Sequence, residues 1–256
     1  MKLKYLLSFF TICIIGLGTL LFVSHKTNTD TTETKQQMVS VPAAHEKVMN
    51  AKLEVPTESN SNWMNDEINA ITSQATNLNK DVLKVALTAY QHAEEKGITK
   101  NPLLTVVDYS KPSTQRRLWV IDLQNKKVLF NTWVSHGKNS GELNSTSFSN
   151  KPESLKSSLG VFVTGEIYSG KHGNSLRVKG LESGFNDHAY DRSIVFHGAD
   201  YVSQSIAKSG RLGRSWGCWA VSMDTIGSLV RTIKDKALVV AYYPDKNWLS
   251  KSAFLN

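Results

Sequence analysis

Cysteine is scarce in this chain. Of its two cysteines, Cys13 lies in an apolar N-terminal run, and Cys218 is the only one outside that run. The chain also lacks the C-x-x-C and H-x-x-x-H spacings that place two zinc ligands on one element. The scarcity excludes a disulfide framework, and we expect no cofactor. A zinc site is the alternative, with these candidate ligands: His136, His172, His188, His197 and Cys218.

A clustered basic face is also lacking. The formal net charge is +8, and Lys2 and Lys4 at the N-terminus contribute to it. The remaining basic residues are spread along the chain, whereas nucleic-acid binding requires a basic patch. We therefore expect no nucleic-acid partner. The moderate positive charge suits an anionic polymer or a membrane surface, and we expect a monomer.

The N-terminal segment predicts export. Tyr5–Val23 is mostly apolar and follows Lys2 and Lys4, which is typical of a long signal peptide or a single membrane span. No A-x-A cleavage pattern directly follows, which favours an uncleaved anchor with its basic end inside the cell. We predict a signal peptide or membrane anchor over residues 1–24, association with the inner membrane, and a periplasmic or other extracytoplasmic location.

The rest of the chain divides into three parts. Residues 25–62 are polar and predict a flexible tether. Residues 63–100 predict a helical segment that begins a helix at Asn79, ends it at Gly97 and packs on the following domain. Residues 101–256 have the alternation of strands, so the predicted fold is mainly β within an α+β chain.

Seven strands are predicted in this last part: Leu103–Asp108, Arg117–Asp122, Val128–Val134, Val161–Ile167, Ser175–Lys179, Ser193–His197 and Leu238–Tyr243. A single late helix is expected to begin at Ser222, with Met223, Ile226, Val230 and Ile233 facing inward. Residues 135–159 and 180–192 form two long loops, which we expect to border a functional site.

A histidine and the lone cysteine frame an arginine-rich connection. The predicted strand delivers His197 into a turn at Gly198, and Cys218 follows Gly217. An unpaired cysteine in an oxidising compartment is a candidate reactive thiol. The histidine can act as a base, glycine permits close backbone approach, and arginines supply positive potential. The pattern predicts a cysteine nucleophile. The alternative is a buried, inert Cys218 beside a strand-end histidine.

The same residues resemble a known family. His197-Gly198 followed by Ser215-Trp216-Gly217-Cys218 resembles the HG…S-x-G-C signature of the L,D-transpeptidase (YkuD-type) catalytic domain. Further segments resemble its murein L,D-transpeptidase branch, and the similarity runs from about Pro102 to Pro244. These segments are Val107–Ser113, Arg117–Asp122, Ser135–Gly141, Phe148–Asn150, Ser157–Gly160 and Gly213–Cys218. The resemblance implies a YkuD-like β-sandwich or barrel as the catalytic domain over residues 101–256.

The resemblance also implies a reaction, cysteine-dependent acyl transfer on peptidoglycan stem peptides, which makes those peptides the expected partner. The Cys218 thiolate attacks the amide between the third and fourth stem residues and forms a thioester. His197 protonates the departing amine and later deprotonates the acceptor amine. Gly217 allows the tight turn, so that backbone amides of Gly217, Cys218 and Trp219 can stabilise the oxyanion.

The sequence departs from the family directly after the cysteine. Most members have Arg there, and the closer branch has Pro, whereas this chain has Trp219. We therefore predict that Arg211 and Arg214 bind the substrate carboxylate, and that with a His197 imidazolium they favour the thiolate. Further predicted substrate-binding residues are Ser215, Trp219, His136 and Gly198, with Trp216 and Trp219 as an apolar wall. For His136 the alternative is a bond within its loop, and for the tryptophans it is core packing.

Two other functions remain open. The same acyl-enzyme resolved by water makes the protein an L,D-carboxypeptidase or endopeptidase, because the acceptor depends on groove shape and water exclusion. A non-catalytic wall-binding module is the second alternative.

Overall fold

The computed structural model describes residues 57–170 and 173–256. The predicted leader and residues 25–56 of the predicted tether lie outside these residues, as does His172. Within the described ranges, no helix has both the length and the hydropathy needed to cross a membrane.

Two helices precede the sheet, α1 over Thr57–Gln74 and α2 over Lys80–Glu95. The Asn79 side chain accepts a hydrogen bond from the Asp81 amide at 2.7 Å, so the predicted N-cap is confirmed. The chain leaves α2 through Gly97, whose φ of +67° suits glycine. One face of α2 is buried: Val82, Leu83, Ala86, Leu87, Ala89, Tyr90 and Ala93.

Eight strands form one mixed sheet. They are β1 (Leu103–Asp108), β2 (Leu118–Asp122), β3 (Lys127–Thr132), β4 (Gly160–Gly170), β5 (Gly173–Gly180), β6 (Val195–Gly198), β7 (Trp219–Val221) and β8 (Leu238–Tyr242). Their order is β3-β2-β1-β8-β4-β5-β6-β7. The β1–β8 and β6–β7 pairs are parallel, and the other pairs are antiparallel. All seven predicted strands are present, β1 with the predicted ends and the other six with shifted ends. The short β7 was not predicted.

The two edges of this sheet approach each other. Beyond β3, the Ser135 amide donates to the carbonyl of Ala220 in β7 at 2.9 Å, and the Ser215 amide donates to the His136 carbonyl at 3.0 Å. Gly137 and Ser215 form an isolated parallel bridge. The sheet is therefore a nearly closed barrel, and the predicted mainly β, YkuD-like fold is confirmed. The closure brings residues 135–138 against the turn before β7.

Apolar residues pack on both faces of the sheet. One cluster joins Phe162, Phe196 and Trp219 to the helix that follows β7. The other packs α2 against Trp119 of β2 and Val240 of β8. Burying one large apolar side chain contributes about 1.5–3 kcal/mol, so these two layers hold the helical segment and the sheet together.

Three helices lie in the second half: α3 (Gln204–Lys208), α4 (Met223–Ile233) and α5 (Lys246–Lys251). The prediction of a single late helix was wrong, because α3 and α5 are too short to show a helical period. Side chains of Ser203 and Asp245 cap them. Met223 was predicted to face inward but is 48% exposed. It lies in the first turn of α4, ahead of the buried stripe: Ile226, Leu229, Val230 and Ile233.

Candidate active site

The parallel pair β6–β7 brings His197 and Cys218 into one region. His197 is the register partner of Ala220, which lies two residues beyond Cys218. Strands about 4.8 Å apart, with about 3.3 Å per residue along each, give a Cα separation of about 8 Å. That separation is within reach of an imidazole and a thiol side chain.

A backbone carbonyl orients the histidine. His197 is 5% exposed, and its Nδ1 lies 2.9 Å from the Gly198 carbonyl oxygen. The carbonyl can only accept, so Nδ1 carries the proton. Gly198 was predicted to bind substrate. A Cβ there would meet the Met223 sulfur at 2.7 Å, so glycine lets α4 pack on β6.

The turn that carries Cys218 requires a glycine and is held by a serine. Gly217 has a φ of +124°, and a Cβ there would lie 2.8 Å from the Lys156 carbonyl oxygen. The buried Ser215 hydroxyl donates to the Cys218 carbonyl at 2.7 Å and accepts from the Gly217 amide at 3.1 Å. The Gly217 amide, predicted as an oxyanion donor, therefore already has an acceptor. Ser215 shapes the turn.

The thiol of Cys218 is half-buried. Its sulfur donates to the Ser193 carbonyl at 3.5 Å. Burial raises the pKa of the Cys218 thiol, while a hydrogen bond with the Val195 backbone and the positive charge of Arg192 act in the opposite direction. Arg192, not one of the two predicted arginines, is thus the cation that acts on the sulfur.

Arg211 and Arg214, predicted to bind the substrate carboxylate, bind a carboxylate of their own chain. Arg214 Nη1 lies 2.5 Å from one oxygen of Glu142, and Arg211 Nε lies 3.4 Å from the other. Arg214 also donates to the carbonyls of Lys138 and Gly141. The two arginines therefore hold the loop over residues 138–142.

His136 lies in the interior with both ring nitrogens occupied. Arg117 Nη2 is 2.8 Å from Nδ1, and the Gly141 carbonyl is 3.1 Å from Nε2. Burial first, and then the Arg117 charge, lower the pKa of His136 to about 4. The ring is therefore neutral at pH 7, accepts from Arg117 and donates to Gly141. This geometry agrees with the loop-bonding alternative.

The two tryptophans near Cys218 lie in opposite environments. Trp219 is 1% exposed, stacks on Phe196 at 4.8 Å and meets Phe162 edge-on at 4.9 Å. Its side chain is core and has no surface on which to act as a wall. Trp216 is 77% exposed and is free to contact a ligand.

Two tyrosines near the thiol were missing from the sequence prediction. Burial, and then the charge of Cys218, raise the pKa of Tyr201 to about 12. Tyr109 is buried, and its pKa is also raised to about 12, chiefly by burial. Both phenols stay protonated at neutral pH and can act as hydrogen-bond donors. No sequence motif marks them, because they come from loops that only the fold brings to Cys218.

The described ranges contain no group of three or more His, Cys, Asp or Glu side chains that could hold a metal ion. His136 and His197, two of the candidate ligands, use a ring nitrogen within the protein instead.

This arrangement of a thiol, an oriented histidine and a glycine turn is matched by a family model. The model of the L,D-transpeptidase catalytic domain, YkuD_2, matches residues 74–242. The chain belongs to this family, and the resemblance predicted from the sequence is confirmed.

Solved structures also give distant matches. An L,D-transpeptidase from Mycobacterium smegmatis is 15% identical with a TM-score of 0.35, and the match covers 56% of this chain and 59% of that one. L,D-transpeptidase 1 of Mycobacterium tuberculosis is 14% identical with a TM-score of 0.32, covering 56% and 62%. A protein from Stackebrandtia nassauensis is 11% identical with a TM-score of 0.34, covering 72% and 92%.

The chain thus matches about three fifths of the two mycobacterial chains. TM-scores this low add nothing to the family assignment. No curated protein matches the sequence.

Proposed function

We propose that this protein transfers acyl groups between peptidoglycan stem peptides, with Cys218 as the nucleophile. The observation that supports the proposal is the β6–β7 register, which pairs His197 with Ala220, two residues beyond the half-buried Cys218, while a backbone carbonyl orients the histidine. The family match supports the same chemistry.

The first step is formation of a thioester. His197 Nε2 takes the proton of the Cys218 thiol, and the sulfur bonds to the carbonyl carbon that joins the third and fourth stem residues. The C–N bond then breaks as His197 gives this proton to the departing amine. The amides of Cys218 and Trp219 are the remaining predicted oxyanion donors, because the Gly217 amide donates to Ser215.

The second step returns the enzyme to its starting state. An acceptor amine loses a proton to His197, and its nitrogen bonds to the thioester carbon. The C–S bond breaks, and His197 returns the proton to the departing sulfur. The hydrolase alternative differs only in using water as the acceptor. The exposed Trp216, two residues before Cys218, offers an apolar surface for either acceptor.

Incubating the full chain with purified disaccharide-tetrapeptide tests the proposal by mass spectrometry of the products. Cross-linked dimers or exchanged D-amino acids are the expected result, with Cys218→Ala as the inactive control. Tripeptide as the sole product would establish the hydrolase instead. Unchanged substrate together with no carbapenem adduct would favour the non-catalytic wall-binding module.

We propose an extracytoplasmic location with inner-membrane association, supported by the apolar run Tyr5–Val23 after Lys2 and Lys4. Fusing alkaline phosphatase, which is active only outside the cytoplasm, after residue 256 tests this location. An inactive fusion of normal abundance would contradict it. Sedimentation equilibrium checks the expected monomer.

A further inference from the structure

Arg192 carries a positive charge and has no carboxylate partner among the residues that the structure describes. Nη1 donates to the Ser149 carbonyl at 2.7 Å and the Ser158 hydroxyl at 2.6 Å. Nη2 donates to the Lys156 carbonyl at 2.6 Å and the Ser154 hydroxyl at 3.1 Å. All four Nη hydrogens therefore reach neutral oxygens, and in the described part of the chain no acidic group lies within ion-pair distance of this guanidinium.

The guanidinium lies against the turn that carries the nucleophile. A Cβ on Gly217 would come within 3.4 Å of Arg192 Nη2 and 2.8 Å of the Lys156 carbonyl oxygen. Gly217 directly precedes Cys218, so glycine at this position lets the cation and its loop approach the sulfur. The electrostatic influence of Arg192 on Cys218 favours the ionised sulfur.

Three of the six non-glycine residues with positive φ in the described part of the chain lie around the same contacts. Glu153, Leu155 and Ser193 all have a φ of +55°, in the left-handed region that is unfavourable for residues other than glycine. Glu153 and Leu155 flank Ser154, and Leu155 directly precedes Lys156. Oxygens of Ser154 and Lys156 accept hydrogen bonds from Arg192. Ser193 directly follows Arg192 in the chain. Strained backbone of this kind persists only where surrounding contacts fix it, and it is concentrated at functional sites. The four bonds of Arg192 provide such contacts.

We propose that Arg192 stabilises the Cys218 thiolate, and that its four bonds to residues 149–158 hold the charge at the sulfur. Arg192 acts here as a positioning residue for the nucleophile. The catalytic role of the thiolate rests on the proposed function, but its stabilisation by Arg192 does not.

The test is the pH dependence of iodoacetamide alkylation at Cys218 in the full chain. Peptide mapping by mass spectrometry separates Cys218 from Cys13. Arg192→Gln is expected to raise the midpoint by about one pH unit, which lowers the alkylation rate at neutral pH about tenfold. Arg192→Lys keeps the charge and should restore most of the rate. Arg214→Gln removes a charge that is already paired with Glu142 and should leave the midpoint unchanged.

An unchanged alkylation midpoint in folded Arg192→Gln would overturn the proposal. An Arg192→Lys variant with the same midpoint as Arg192→Gln would also overturn it, because the loop bonds and not the charge would then matter. If Arg192→Gln does not fold, lysine and Nε-acetyllysine incorporated in place of Arg192 give a pair that differs in charge at similar length. Equal midpoints in that pair would also reject the proposal. Alkylation of Cys218 uses no stem peptide. If the alkylation midpoints are as expected but the protein transfers no acyl group between stem peptides, the result counts against the proposed function alone.

Discussion

Two groups of arginines border Cys218, and they differ in what neutralises them. Arg211 and Arg214 share the exposed carboxylate of Glu142, which offsets one of their two positive charges, and solvent screens this exposed group. Arg192 is half-buried and donates only to neutral oxygens. The comparison shows that distance along the sequence from a cysteine does not decide which cation acts on it. The partner of each guanidinium does.

A fourth arginine, Arg117, resembles Arg192 in this respect. Arg117 is fully buried, and it donates to carbonyl and hydroxyl oxygens and to His136. Burial lowers its pKa to about 10, so it remains charged at pH 7, and its charge lowers the pKa of His136. Arg117 and Arg192 thus both act on a neighbouring titratable group, and neither has a carboxylate partner within 4 Å.

Gly217→Ala is expected to have the largest effect. The new Cβ would meet the Lys156 carbonyl and Arg192 Nη2 at an unfavourable φ. Strain and overlap together should cost about 3–5 kcal/mol of folding free energy. Displacing the thiol by about 1 Å should slow acylation about 100-fold. Denaturant unfolding and carbapenem acylation kinetics measure the two effects.

Gly210→Ala is the matched control. Gly210 has a similar φ of +113°, but a Cβ there would meet nothing within 4 Å. Backbone strain alone should cost about 1–2 kcal/mol, with acylation unchanged. Equal losses in the two variants would show that close approach to Lys156 and Arg192 is unimportant.

His136→Asn tests the lowered pKa of His136. The pKa of His136 is lowered from 6.5 to about 4, so the unfolded chain binds the proton first. The lowered pKa contributes roughly 3 kcal/mol to the free energy of unfolding. This contribution is fully present above pH 6.5 and is lost as the pH falls towards 4. The variant should lack that part of the pH dependence in urea unfolding. If the free energy of unfolding of the two proteins had the same pH dependence, the lowered pKa of His136 would be contradicted.

Ser215→Ala removes the hydroxyl that bonds both Gly217 and Cys218. An unpaired buried amide and carbonyl should cost about 2 kcal/mol, and acylation should slow roughly tenfold as the turn loosens. Ser222→Ala removes a hydroxyl bonded to Thr225 just after the other end of β7 and should leave acylation unchanged. If both variants acylate at the wild-type rate, Ser215 does not hold the turn.

Glu142→Gln should have the smallest effect on folding, below about 1 kcal/mol, because Glu142 is exposed and its ion pairs are screened. The change frees Arg211 and Arg214. If these residues bind the substrate carboxylate, KM for the tetrapeptide donor should fall, with kcat and the alkylation profile of Cys218 unchanged. A raised KM would instead indicate that the substrate needs the loop that Glu142 holds.

Local pattern predicted most of the fold. Alternation found seven strands, and the side chain of Asn79 and the positive φ of Gly97 agree with the predicted helix limits. β7 was missed because its three residues are all apolar and show no alternation. The strand predicted from Ser193 begins at Val195, because Ser193 is left-handed, and single-residue propensity gives no sign of that for serine.

The site was predictable only as far as its motif extends. His197, Cys218 and the need for Gly217 follow from sequence neighbours. Arg192 and Tyr201 do not, because their positions depend on where two loops return after barrel closure. Glu142 and Arg214 lie far apart in the sequence, and no local sequence pattern predicts their ion pair. The sequence therefore could not show that Arg214 binds Glu142.

The most direct test is rapid-quench mass spectrometry of the full chain reacting with disaccharide-tetrapeptide. The account predicts a transient adduct with the mass of the disaccharide-tripeptide acyl group, mapped to Cys218 and absent in Cys218→Ala. Product formation by Cys218→Ala at the wild-type rate, or an adduct on another residue, would contradict it.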